Sequence, residues 1–378
     1  MIPLSIPHLA GNEWTYVKEC LDTGWVSTAG AYVGKFETAI ADYTDSRFAI
    51  SCMNGTAGLH TAMNLLGIGA GDYVLAPNLT FVATLNAIAY TKADPLLLDI
   101  DVDSWQLDLD LLESFLAERT EKRDGACHLS ADGRRIGAIM PVHVLGNMCD
   151  MDRLLAVCGE HNLPIIEDST EALGSTWKGR HAGTFGVFGT SSFNGNKIIT
   201  TGGGGMIFTQ DETLATRAKH LTTTAKTDPL DYFHDEVGYN YRLVNVLAAI
   251  GLAQMEQLPG LIERKKKMDA FYREQLKGVG DITFQRVTDG VDPNCWLFTF
   301  RTDRMRELLT YLNDCGVQSR PFWTPMNQLP MYAGLTYVTE NHQAKKVHET
   351  AISIPSSSGL TDQQLQEVVD TINEFYNG

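Results

Sequence analysis

Apolar residues recur along this chain with two alternating rhythms. Compact apolar runs at 48–52, 73–76, 95–99, 136–142, 164–167, 190–193 and 205–209 have the length and flanking turns of buried strands. Between them, 81–90, 107–118, 150–160 and 212–221 carry apolar residues at helical spacing. Such alternation predicts an α/β fold with a mainly parallel sheet between helices. Ahead of it, 12–23 reads as a helix with Trp14, Val17 and Leu21 at helical spacing and Gly24 as its stop, and 33–43 as a second. A further helix opens at 54–60 and runs to Leu66, and the polar stretch 119–135 reads as a surface loop. Residues 246–262, rich in Ala, Leu, Met and Gln, predict two helices broken near Pro259-Gly260, with 264–276 leading into a second domain. There, strands are expected at 282–285, 296–301 and 317–320, and helices at 303–315 and 361–376. The chain thus divides into a large domain, 1–250, and a smaller C-terminal α+β domain, 251–378.

The length of 378 residues agrees with more than one core. A net charge of −16 argues against a nucleic-acid partner or an anionic membrane surface. An anionic small substrate stays compatible, since a few local cations suffice. The seven cysteines are scattered without a Cys-x-x-Cys pair, so neither a disulfide framework nor a zinc site is signalled, and no metal is expected. No basic start followed by an apolar run, and no stretch of about 18 apolar residues, points to export or a membrane span, so the expected compartment is the cytoplasm.

Chemistry concentrates around Lys197, in Ser192-Phe193-Asn194-Gly195-Asn196-Lys197-Ile198-Ile199-Thr200-Thr201 followed by Gly202-Gly203-Gly204-Gly205. Consecutive glycines let a backbone approach a flat ligand, and an amine in a dry pocket loses proton affinity and can attack an aldehyde. A surface lysine on a glycine-rich hairpin is the alternative. Asp168 ends the apolar run Leu163-Pro164-Ile165-Ile166, where it either faces a ligand or caps a helix. Asn54-Gly55-Thr56-Ala57-Gly58 opens a helix and suits a phosphate, though an N-cap by Thr56 explains it equally well. His60 and His143 are candidate bases, with hydrogen-bonded core histidines the commoner outcome. No Gly-x-Gly-x-x-Gly follows the first strand, which argues against a Rossmann-type dehydrogenase.

Glu167-Asp168-Ser169-Thr170-Glu171-Ala172-Leu173-Gly174, Ser192-Phe193 and the Lys197 run resemble the DegT/StrS-type nucleotide-sugar aminotransferases of the aspartate-aminotransferase-like fold type I superfamily. The resemblance extends from Gly11-Asn12-Glu13 and Gly24-Trp25-Val26-Ser27 through Gly238-Tyr239-Asn240-Tyr241-Arg242 to Ile354-Pro355-Ser356-Ser357. It implies pyridoxal 5'-phosphate linked through Lys197, which would also carry the proton between cofactor and sugar carbon. Asp168 would pair with the pyridine nitrogen, Gly55, Thr56, Ala57 and Ser192 would surround the phosphate, and Phe81 would stack on the ring. Asn240 would reach the phosphate from a second subunit, making an obligate homodimer. Glu171 stands where many relatives carry Gln or His near the phenolic oxygen, and would need a proton or a bridging donor there. Gly203 replaces a Glu usual in the wider family. A lysine at 197, where related dehydratases carry histidine, implies transamination. Trp25, Ser27, Arg320 and Trp323 would bind substrate, with Lys226 a further cation for a diphosphate. The stretches 192–201, 221–226 and 319–326 resemble the enzymes of bacillosamine and legionaminic acid pathways that make 4-amino-4,6-dideoxy-N-acetylglucosamine on UDP. The implied reaction moves an amino group from L-glutamate to the 4-keto carbon of UDP-2-acetamido-2,6-dideoxy-hexos-4-ulose. The alternatives are a GDP- or dTDP-linked keto sugar, perosamine-type among them, and a non-catalytic sensor that kept the fold.

Overall fold

The apolar runs assemble into one eight-stranded sheet in the computed structural model, which describes residues 1–228 and 230–378. Its strands are β1 (Phe48–Cys52), β2 (Tyr73–Pro77), β3 (Asp94–Leu98), β4 (Ile136–Ile139), β5 (Ile166–Asp168), β6 (Phe188–Ser192), β7 (Gly205–Thr209) and β8 (Tyr337–Val338). The spatial order is β1-β7-β6-β5-β4-β2-β3-β8, with β4 and β5 joined through parallel bridges at Ile139–Ile165 and Val142–Asp168. Only β7 runs antiparallel to its neighbours; the remaining pairings are parallel, as the strand–helix alternation predicts. Strands buried at nearly every position need cover on both faces, which the intervening helices supply.

Helices α1 (Glu13–Thr23), α2 (Ala31–Thr44) and α3 (Gly55–Leu65) follow the expected pattern, and Gly24 ends α1 at φ 75°. The helix at 81–90 starts later, at Ala83, which leaves Phe81 in the preceding loop. The expected break near Pro259 does not occur: α4 (Asn245–Gln275) runs unbroken through it. Proline inside a helix costs about 3 kcal/mol, but Leu258, Leu261 and Ile262 are buried there, each stabilising by roughly 1.5–3 kcal/mol. The stretch 119–135 is likewise no plain loop, because Thr120–Arg123 and Ala126–Leu129 pair as an antiparallel hairpin.

A second sheet, wholly antiparallel, orders Thr283–Phe284, Thr299–Arg301, Ala351–Ser353 and Arg320–Pro321. Helices Met305–Asp314 and Asp362–Asn377 accompany it, around a core that includes Phe300, Leu308, Ile352 and Val368. The strand expected at 317–320 lies at Arg320–Pro321, and the central strand Ala351–Ser353 and helix Gln343–Thr350 had no counterpart in the sequence pattern.

Two segments bind the sheets together. Residues 337–344 return to the first sheet, where β8 pairs with β3 and Asp99 accepts from Thr339 Oγ1 at 2.5 Å and from the amides of Gln343 and Ala344 at 2.8 and 2.9 Å. Residues 2–6 lie along the second sheet's edge. Ile2 exchanges backbone bonds with Gly316 and Gln318, Leu4 accepts from the Ser356 amide at 2.8 Å, and Ser5 Oγ donates to the Asn196 carbonyl at 3.2 Å.

Candidate active site

Asn54 has extended backbone angles and its Oδ1 accepts the amide of Ala57 at 2.8 Å. Asn54, not Thr56, is therefore the N-cap of α3. The first-turn amides of Gly55 and Thr56 have no intrahelical partner, and they stand at the positive end of the helix on the wall of a cavity of about 690 Å³. Glycine is required at two points of this cradle. A Cβ on Gly55 would lie 2.9 Å from Thr170 Cγ2 and 3.1 Å from Ser192 Cβ, and one on Gly205 would lie 2.5 Å from the Asn54 carbonyl carbon. Gly203 also lines the cavity, where nothing stands within 4 Å of the place a Cβ would take.

Asp168 closes β5 at the carboxyl end of the sheet and is 3% exposed. Thr84 Oγ1 donates to its Oδ2 at 2.7 Å, the Thr170 amide to its Oδ1 at 3.2 Å, and Thr80 Oγ1 stands 2.7 Å from Thr84 Oγ1. Glu171, one turn on, accepts the Leu145 amide at 2.8 Å and lies 3.8 Å from Lys197 Nζ. Burial pushes the Glu171 carboxyl up to about 7, with the Lys197 charge opposing. Burial also holds the Lys197 amine below its ordinary value, against the pull of Glu171 and Asp168. Burial thus raises the fraction of this carboxyl that holds a proton around neutral pH.

The turn presenting Lys197 is fixed by its own backbone: the Lys197 amide bonds to Asn194 O at 3.0 Å, the Thr201 amide and Thr200 Oγ1 bond to Phe193 O, and the Gly202 amide to Thr200 Oγ1. Lys197 is 13% exposed, its Nζ turned onto the cavity side. The same cavity is lined by Phe81, Arg320, Phe322 and Trp323, with Phe322 and Trp323 stacked at 4.6 Å. The Arg320 guanidinium donates to Ser319 O at 2.8 Å and has no carboxylate partner among the described residues.

Sequence reasoning missed three contributors: Trp296, whose ring centroid is 4.0 Å from Lys197 Nζ; Thr84, which bonds Asp168; and Leu4 of the N-terminal segment. All meet the site across long separations and carry no local motif. Conversely, Ala57, Trp25, Ser27, Asn240 and Lys226 do not line this cavity. The Ala57 amide is taken by Asn54. The carbonyls of Trp25 and Ser27 accept from Asn245 at 2.6 and 2.7 Å, Asn240 is exposed, and Lys226 lies over the Tyr232 ring. His143 is buried and bonded to Glu167 at 2.9 Å, and His60 packs among Tyr90, Tyr239 and Tyr241, so both are core residues.

Three features fit the phosphorylated aldehyde that the motifs imply: an amine with depressed proton affinity, unpaired amides at a helix start, and a buried carboxylate at a strand end. The model of the DegT/DnrJ/EryC1/StrS aminotransferase family matches residues 7–373. The GDP-perosamine synthase of Escherichia coli O157:H7 is 37% identical, the match covering 100% of this chain and 99% of that protein. The GDP-perosamine synthase of Caulobacter vibrioides is also 37% identical, over 99% and 98%. Among solved structures, the sugar aminotransferase CalS13 from Micromonospora echinospora superposes with a TM-score of 0.87 at 27% identity, covering 99% of this chain and 100% of that one. Among the described residues no helix is long and apolar enough to cross a membrane.

Proposed function

This chain belongs to the DegT/DnrJ/EryC1/StrS aminotransferase family and is a pyridoxal phosphate-dependent sugar aminotransferase of fold type I; from that premise we propose that it carries an amino group from L-glutamate to the keto carbon of a nucleotide-linked keto sugar. The observation that carries this reading is the Lys197 amine, 3.8 Å from a protonatable Glu171 and lining the same cavity as the free helix start of α3. Bound there, the cofactor would supply an aldehyde carbon able to carry the amino group and a ring that acts as the electron sink. Lys197 would hold the cofactor and move a proton through Nζ; Asp168 would hold the pyridine nitrogen, Gly55, Thr56 and Ser192 the phosphate, and Phe81 the ring face. Arg320, a cation without a carboxylate partner among the described residues, suits the sugar nucleotide's diphosphate, and Trp323 would pack on the sugar or the base. Asn240, exposed and off this chain's own cavity, would serve the partner's site in a homodimer, as the family resemblance implies. The proposed setting is the cytoplasm.

The preferred substrate is a GDP-linked, perosamine-type keto sugar, because proteins named GDP-perosamine synthase match the whole chain at 35–37% identity. A second reading, UDP-2-acetamido-2,6-dideoxy-hexos-4-ulose, is favoured by the stretches 192–201, 221–226 and 319–326. Steady-state kinetics with glutamate and GDP-, UDP- and dTDP-linked 4-keto sugars decide between them by the larger kcat/KM. Absence of amination on every sugar would sink the common reading.

A further inference from the structure

Trp296 meets the lysine turn twice. Its ring lies under Lys197 Nζ, 4.0 Å from nitrogen to centroid, and its Nε1–H donates to the carbonyl of Asn196 at 2.6 Å. It is 2% exposed and fixed from behind: Asn294 Oδ1 accepts its amide at 3.0 Å, and the buried Lys265 Nζ donates to its carbonyl at 2.8 Å. Ser5 Oγ reaches the same Asn196 carbonyl, so the residue before Lys197 is gripped from two segments remote in sequence. The charged groups around the amine are Glu171 at 3.8 Å and Asp168 at the end of β5, with Arg320 elsewhere on the cavity lining. Both acids attract a protonated amine, but each can also take its proton. The indole face attracts the charge and cannot accept the proton.

We propose that Trp296 is a positioning residue for Lys197: its face holds the ε-amine, and favours its protonated form, when that amine is not bonded to cofactor, and its N–H locks the turn that presents it. This rests on the reading of Lys197 as the cofactor lysine. When Nζ takes up a proton, the new charge forms against an electron-rich face on a largely buried side chain, where a cation–π contact is stronger than at an exposed site. No bond to the ring forms, and the proton leaves again from the same nitrogen.

The test uses full-length protein freed of cofactor. Competitive labelling of amines across pH, read by mass spectrometry, gives the ionisation midpoint of Lys197, and deuterium exchange over 194–201 reports the turn. Trp296→Leu is expected to lower the midpoint by about one pH unit and to speed exchange. Trp296→Phe keeps a ring and loses the N–H, so it should restore most of the midpoint while exchange stays fast. An unchanged midpoint in Trp296→Leu, or an equal displacement in both variants, overturns the proposal. Should the leucine variant fail to fold, unchanged exchange in Trp296→Phe overturns it instead. Failure of wild-type protein to bind pyridoxal phosphate would defeat the aminotransferase reading and leave the midpoint comparison standing.

Discussion

Lys197 and Lys265 are two lysines that burial pushes toward the neutral form, and they sit in opposite kinds of surroundings. Lys265, 5% exposed, is pushed down to about 7 and donates to the carbonyls of Trp296 and Ser356, with no carboxylate beside it among the described residues. Lys197 faces Glu171 and Asp168 and lines a cavity of about 690 Å³. Burial alone therefore does not mark a reactive amine. A proton partner and open space beside it do, and Lys265 serves as a rivet between α4 and the loops that carry Trp296 and Ser356.

Replacing Lys197 by Ala should lower turnover by about four orders of magnitude while the thermal midpoint hardly moves; activity measured beside a melting curve checks both. Asp168→Asn should follow, with a loss of about 10²–10³-fold, read as kcat with saturating cofactor. Glu171→Gln sharpens the contrast through pH. The folded carboxyl titrates near 7, above its unfolded value of 4.5, so its contribution to stability is full below 4.5 and lost as pH rises through 7. The glutamine variant should lack that fall, a relative gain of roughly 3 kcal/mol at pH 8, visible in denaturant titrations at pH 4 and 8. Lys265→Met should cost roughly 2 kcal/mol at pH 10, since two carbonyls lose their donor. The folded Lys265 value lies below the unfolded 10.5, so the wild type loses stability as pH falls from 10.5 to 7, and the gap to the methionine variant should narrow over that range. Were Lys265→Met as inactive as Lys197→Ala yet fully stable, the contrast between rivet and reagent would break.

The parts of the site legible in sequence are those whose chemistry is local. Asp168 ends an apolar strand, Gly55 and Thr56 open a helix after another, and Lys197 precedes a glycine run, so strand-end placement alone brings them to one edge of the sheet. Arg320, Trp323 and Phe81 also reach the cavity. Trp296 and Leu4 were not legible because nothing near 296 or 4 in sequence signals a meeting with 197. Trp25, Ser27 and Asn240 show the converse, motif residues that one chain folds away from its own cavity. At the level of elements, Pro259 misleads because a residue preference yields to the burial of Leu258, Leu261 and Ile262 around it. The hairpin at 120–129 is hidden because its first strand, Thr120–Arg123, is polar and mostly exposed, and the second, Ala126–Leu129, is too short to show a pattern of its own.

The segment 2–6 has a consequence for the order in which the molecule can be built. Its partners are Gly316, Gln318, Ser356 and Ser357, and Asn196 beside the lysine. During synthesis those first residues must wait while roughly three hundred others are added, because closing so long a loop precedes any reward from the contact. The large sheet, α3 and the glycine run can form earlier, since β1 to β7 all lie before residue 210. The grip on Asn196 from Ser5 and Trp296 is then a late event, and a nascent chain released before residue 357 would hold a folded cradle around a loosely held lysine.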